Sequence, residues 1–259
     1  MQELIITEEQ LNQFIGQYLW PMLRIGAFYM AAPIVGARTV PARLRIILTL
    51  FTAILVAPVL PPAPTISFMS AEGMIMIIKE VLIGLGLGFS IQVVLQAFLL
   101  AGQYISQKMG LGFASMNDPA NGVSVAIISQ FYLLLTTLLF LSSNGHLIII
   151  QLLIDSYQRF PLLASGFSDQ QFSIIVHLGS WMFAAALLIS LPLFTALMIV
   201  NISFGVMSRA APQMNIFSVG FPITLLFGFI LMWFSLANFL PLYFELMEEG
   251  MGLVGGLLK

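Results

Sequence analysis

Few residues in this chain could do chemistry, and their spacing argues against most kinds of it. The only imidazoles, His146 and His177, stand far apart with no HExxH pattern or nearby carboxylate spacing. A catalytic metal usually takes three protein ligands, so no metal site is expected here. The chain has no cysteine, which excludes disulfides, thiolate metal sites and cysteine nucleophiles. There is no G-x-S-x-G elbow and no P-loop lysine motif. Asp118 and Asp155 are the only carboxylates in the central region, and they fall in different connectors. No acid–base pair or nucleophile set emerges. The expectation is a protein without cofactor and without enzymatic activity.

Three charged residues remain, set among apolar neighbours: Arg24, Lys79 and Glu80. A basic side chain at mid-membrane costs roughly 2.5–3.5 kcal/mol on insertion scales, so Arg24 must meet water, a carboxylate or helix-end carbonyls. It could snorkel along a short or tilted helix. Trp20-Pro21 just before it favours a broken helix with Arg24 buried against a partner subunit. Lys79 and Glu80 either lie near the outer membrane surface or form intersubunit polar contacts.

The elements that carry these residues are long and apolar. Stretches 46–71, 81–107, 119–154, 170–208 and 210–244 hold no Asp, Glu, Lys or Arg. Hydrophobic residues make up 59% of the 259 and charged residues 8%, a balance that only a bilayer solvates. With 14–35 added, and roughly 20 residues per crossing, the runs predict about six membrane-spanning helices. The fold class expected is an all-α integral membrane protein, one unit over 1–259 with no room for a soluble domain. The net charge of -2 is too small to argue for nucleic acid or anionic lipid as a partner. The N-terminus MQELIITEEQLNQF shows no basic region and no small-residue cleavage site, so no cleavable signal peptide is expected.

Charge and turn residues organise the helices. The connector 36–45, GARTVPARLR, holds three of the nine basic residues and belongs in the cytoplasm by the positive-inside rule. Pro61 to Pro64 stop the next helix. Gly84 and Gly88 have GxxxG spacing, which suits close approach of another helix. Residues 108–123, KMGLGFASMNDPANGV, are too rich in glycine, asparagine and proline for a continuous helix. SSNGH at 142–146 reads as a tight turn. Segments 172–207 and 215–244, joined by SRAAPQMN, read as a long helical hairpin with Arg209 at a cytoplasmic tip, kinked at Pro192 and Pro222. The tail ELMEEGMGLVGGLLK is acidic and then glycine-rich, and both termini fall outside.

Several of these segments together resemble the FliR family of flagellar biosynthesis proteins, the flagellar export-gate relatives of the SctT family of injectisomes. The resemblance rests on Arg24 followed by AAPIVGARTVPARLR (31–45), KEVLIGLGLGF (79–89), AGQYISQKMGLGFASMNDP (101–119), FLSSNGHLIII (140–150) and RAAPQMNIFSVGFPI (209–223). It covers nearly the whole chain. It implies a FliP-like part over about 1–170 and a FliQ-like helical hairpin over 171–259. It implies partners: FliP-like and FliQ-like gate subunits in a right-handed helical assembly with one copy of this chain, an FlhB-like subunit, and unfolded export substrates. The implied place is the flagellar basal body at the bacterial inner membrane, with the assembled gate projecting to the periplasmic side. The implied function is to form part of the type III secretion channel that exports unfolded flagellar proteins. A pore plug loop is implied at Met109, Gly110, Leu111, Gly112, Phe113, Ala114, Ser115, Met116, Asn117, Asp118 and Pro119. By residues alone that segment also fits a plain solvent-exposed turn. A small-molecule secondary transporter is the alternative, but it needs ionisable groups at a midplane site and two related halves. Neither is visible here, and an intramembrane hydrolase lacks its residues.

Overall fold

In the computed structural model, every regular element among the described residues is a helix; these residues are 8–64, 66, 68–111, 127–162, 166–210 and 216–258. The helices are α1 (Glu8–Ala31), α2 (Ala42–Val56, continued by a 3-10 turn Ala57–Val59), α3 (Ala71–Lys108), α4 (Ile127–Ser142), α5 (Gly145–Arg159), α6 (Asp169–Ala210) and α7 (Ile216–Gly256). The helices follow the charge-free runs, as expected where backbone polar groups must be satisfied without water. At 1.5 Å per residue, α6 and α7 are each about 60 Å long, roughly twice a bilayer core. Residues 211–215 between them lie outside the described residues.

Among the described residues, four helices are long and apolar enough to cross a membrane: Ala42–Val59, Ala71–Lys108, Asp169–Ala210 and Gly220–Gly256. The pair α4 and α5, broken at residues 143–144, makes a fifth if taken as one span. Segment 14–35, the first of the six expected crossings, falls largely in α1, which does not join this set.

Three local features depart from or sharpen the sequence reading. α1 runs unbroken through Pro21. Proline removes one backbone donor there, yet fully buried Trp20, Arg24 and Ile25 hold both sides of the position. α7 continues through the acidic, glycine-rich stretch to Gly256. Burial of Leu246, Met247 and Val254 outweighs the low helix propensity of its glycines. The turn at SSNGH is real: Asn144 adopts φ 58 in the left-handed region, which asparagine tolerates better than most residues.

The chain splits into two compact units, Met1–Val93 with Ser143–Leu178 and Met251–Lys259, and Val94–Ser142 with Gly179–Gly250. In the first, Trp20 packs with Ala63 and Met76 and stacks on Phe68 with ring centroids 4.4 Å apart. In the second, the core is aromatic: Phe239 meets Phe98 and Tyr132 at 6.0 and 5.5 Å, and Tyr243 meets Phe98 at 5.6 Å. Outward faces stay apolar. Ile46, Phe51 and Leu55 on α2, Leu188 and Ile199 on α6, and Leu226 and Trp233 on α7 are all exposed. Faces of this extent belong against lipid or another subunit.

Candidate functional site

Arg24 sits on α1 in the first unit with no exposed surface. Its Nε donates to Glu80 Oε2 at 2.8 Å and its Nη2 to Glu80 Oε1 at 2.8 Å, a two-pronged pair with α3. Nη2 also donates to the Phe160 carbonyl at 2.7 Å. Nη1 donates to the Ser156 carbonyl at 2.9 Å and to Ser156 Oγ at 3.2 Å. A guanidinium has five N–H donors, and here all five are used. The carbonyls of Ser156 and Phe160 lie in the last turn of α5; that of Ser156 also accepts the Phe160 N–H at 2.8 Å, and the helix dipole at this end favours a cation. Tyr157 lays its ring 4.1 Å from the Arg24 guanidinium carbon and donates from Oη to the Pro21 carbonyl at 3.1 Å. Arg24 therefore meets both a carboxylate and helix-end carbonyls, all inside this chain. Burying two charges is costly unless every donor and acceptor is met, and this arrangement meets them.

The glycine patch explains how α1 comes close enough. A Cβ on Gly88 would stand 2.6 Å from the Phe28 carbonyl oxygen and 2.9 Å from Ala31 Cβ. One on Gly84 would collide with the Arg24 carbonyl oxygen and stand 2.9 Å from Ala27 Cβ. The GxxxG face thus packs α3 on α1 and brings Glu80, one turn before Gly84, to Arg24. Lys79 points elsewhere. It is half-buried and, with Glu72, Ile75 and Met76, lines an open hollow closed by Ile66 and Leu162.

Of the segment 109–119, Met109, Gly110 and Leu111 are described, and Gly112 to Pro119 lie outside the described residues. α3 ends there in a Schellman cap. Leu111 N–H donates to the Ser106 carbonyl at 3.1 Å and Gly110 N–H to the Gln107 carbonyl at 3.1 Å, with Gly110 at φ +82. Such a cap needs a left-handed residue, which glycine supplies without a Cβ clash.

The other positions singled out by type lie apart. His146 and His177 are exposed on α5 and α6. Among the described residues, no three His, Cys, Asp or Glu side chains form a metal-holding group. Arg45 folds back on its own loop, donating from Nη2 to the Ala37 and Val40 carbonyls at 2.7 and 3.0 Å, while Arg38, Arg43 and Arg209 are exposed. Sequence reasoning did not name Ser156, Tyr157 or Phe160. The signal was the helix end announced by Arg159-Phe160-Pro161, where last-turn carbonyls can accept from a side chain.

Residues 15–250 match the family described as bacterial export proteins, family 1. The chain is 36% identical over 231 residues to the flagellar biosynthetic protein FliR of Escherichia coli (strain K12), covering 88% of this chain and 87% of that one. It is 36% identical over 255 residues to FliR of Pectobacterium carotovorum subsp. carotovorum, 98% and 97% of the two chains. With FliR of Bacillus subtilis (strain 168) the identity is 29% over 248 residues, 92% and 95% of the two chains. Near-complete coverage, apolar helices that fit a membrane and the matched family together mean that the chain belongs to the FliR family of bacterial flagellar export proteins.

Proposed function

We propose that this chain forms part of the channel of the flagellar type III export gate, through which unfolded flagellar proteins pass, and that it acts without catalysis. The observation that carries this reading is where the polar and apolar groups lie. The ionisable pair Arg24–Glu80 is spent on holding helices together, while long apolar faces on α2, α6 and α7 are turned outward. A transporter of small solutes needs buried ionisable groups beside a cavity; the buried pair here is closed on itself. The gate subunits implied by the family resemblance suit those outward faces. They are FliP-like and FliQ-like chains around one copy of this protein, with an FlhB-like subunit, in the bacterial inner membrane at the basal body. In that assembly 1–170 is the FliP-like part and 171–259, nearly coincident with α6 and α7, the FliQ-like hairpin. Residues 109–119 plug the resting pore. Small residues such as Gly112, Ala114 and Ser115 suit a narrow lumen, and Phe113 and Met116 suit a soft apolar seal.

Deletion of 110–120 tests this. The expected result is a complex that assembles but leaks ions or small solutes when reconstituted. A deleted complex that assembles, stays as tight as the parent and exports normally overturns the plug role.

A further inference from the structure

The last turns of α5 are tied down on one side only. Ser156, Tyr157 and Phe160 are buried and touch Arg24, which fixes how the helix is turned about its axis. Another face carries Ile148, Gln151, Asp155 and Gln158 at spacings of three and four, with Arg159 beside them, and these residues border a hollow of about 590 Å³ in the first unit. The end of α7 supplies the facing wall through Met251, Gly255 and Leu258, held in place by buried Val254 and Leu257. Two helix C-termini thus converge on one hollow, and their dipoles favour a cation there. Along α5 the lining changes from apolar Ile148 to charged Arg159 over about 16 Å, at 1.5 Å per residue. That is close to one leaflet's share of a hydrocarbon core about 30 Å thick. Asp155 is half-buried and Arg159 is exposed one turn on. An acid and a base at this spacing are within reach of each other, yet among the described residues neither enters a salt bridge.

We propose that this hollow binds a phospholipid whose headgroup carries both a phosphate and a primary ammonium. The ammonium has three donors, and Asp155 and the side-chain carbonyl of Gln151 accept from it. The guanidinium of Arg159 and the amide of Gln158 donate to the phosphate, in the charge-assisted geometry that arginine suits. Two charges one helical turn apart match an ammonium and a phosphate joined by two carbons. An acyl chain then follows exposed Ile148 and Leu147 along α5. A hollow of this volume takes a headgroup and the first carbons behind it. A quaternary ammonium offers no donor to Asp155, and a headgroup with phosphate alone sets no cation against it, so the site discriminates among phospholipids. The inference needs a membrane location only and stands apart from the channel reading.

The test reads lipid bound to the purified, assembled complex by native mass spectrometry. Complexes stripped of lipid in detergent are titrated with phosphatidylethanolamine, phosphatidylcholine or phosphatidylglycerol. The parent is expected to bind phosphatidylethanolamine more tightly than either of the others. Asp155→Asn is expected to weaken that binding about tenfold, the scale of one charge-assisted hydrogen bond, and to leave phosphatidylcholine unchanged. Arg159→Gln is expected to weaken all three. Gly255→Leu puts a side chain where nothing stands within 4 Å of the Cβ position. It is expected to remove the bound lipid without lowering the thermal midpoint, which separates loss of the site from loss of the fold. A Gly255→Leu complex that binds as much phosphatidylethanolamine as the parent overturns the proposal. So does an Asp155→Asn complex that keeps the parent's preference for it over phosphatidylcholine. The chain has no cysteine of its own, so a benzophenone attached at Gln151→Cys reports what fills the hollow. Photo-cross-linking to lipid is expected; cross-linking to another subunit makes the hollow a subunit interface and sinks the lipid site.

Discussion

Arg24 and Glu80, one on α1 and the other on α3, meet through two parallel hydrogen bonds of 2.8 Å with neither side chain open to solvent. The remaining donors of Arg24 close the end of α5. Three helices that are far apart in sequence are thereby fixed at one point.

Removing one partner leaves the other as an uncompensated buried charge, which costs about 3–5 kcal/mol. Glu80→Gln and Arg24→Ala are each expected to lower the thermal midpoint of the purified complex sharply, or to remove the chain from it. The double replacement Arg24→Met with Glu80→Leu is expected to recover most of the loss, because an apolar pair of similar volume often replaces a buried ion pair at little cost. A double variant as unstable as either single one would show that the carbonyl contacts to Ser156 and Phe160, and not the ion pair, hold the junction.

The glycine face makes a second, separable prediction. Gly88→Val would push a side chain into the backbone of α1, where the Phe28 carbonyl oxygen already stands 2.6 Å from the Cβ position. Overpacking of this kind costs typically about 1–3 kcal/mol. Gly252 lies within α7 and nothing stands within 4 Å of its Cβ position. Gly252→Ala is therefore expected to be neutral or to stabilise by roughly 0.5–1 kcal/mol, the helix preference of alanine over glycine. Thermal unfolding of the two variants in the same detergent checks the sign of each.

Much of the fold was legible because its signals are local. Charge-free runs mark the helices, Asn144 and Gly110 mark where two of them stop, and the spacing of Gly84 and Gly88 marks a packed face. The partners of Arg24 were not legible. Ser156 and Phe160 are joined to it by proximity across 132 and 136 positions, and one sequence carries no local trace of that. Two errors have a common cause. Pro21 reads as a break and 245–256 as a tail by propensity, but burial around Trp20 and along Leu246 and Met247 decides both. The segment after Leu111, to which the resemblance assigns the plug, lies outside the described residues from Gly112 to Ala126.

The orientation of the helices during insertion follows from the basic connectors. The arginines of 36–45 and Arg209 belong on the cytoplasmic side. Single cysteines at Val40 and Gln213 are expected to resist an impermeant thiol reagent added from outside intact spheroplasts and to label after permeabilisation. Strong labelling of either from outside would reverse the orientation.

Lys79 and Glu80 are adjacent in sequence but face different surroundings, which yields the sharpest test of how this chain meets its neighbours. Glu80 is committed to Arg24 inside the chain. Lys79 is half-buried, and among the described residues no carboxylate forms a salt bridge with it. It borders the hollow formed with Glu72, Ile75, Met76 and Leu162. An ammonium with no salt bridge among the described residues, beside a hollow that Glu72 also lines, is poorly placed against lipid and well placed against an acidic group of another subunit. Lys79→Glu is thus expected to leave the folded chain intact, with an unchanged thermal midpoint, but to reduce recovery of FliP-like and FliQ-like chains on co-purification. Glu80→Lys is expected to lower both together, since it sets two cations side by side in the buried site. Should Lys79→Glu recover the full complex, with one copy of this chain by intact mass, Lys79 faces lipid or water and the subunit contact must be sought elsewhere on α3.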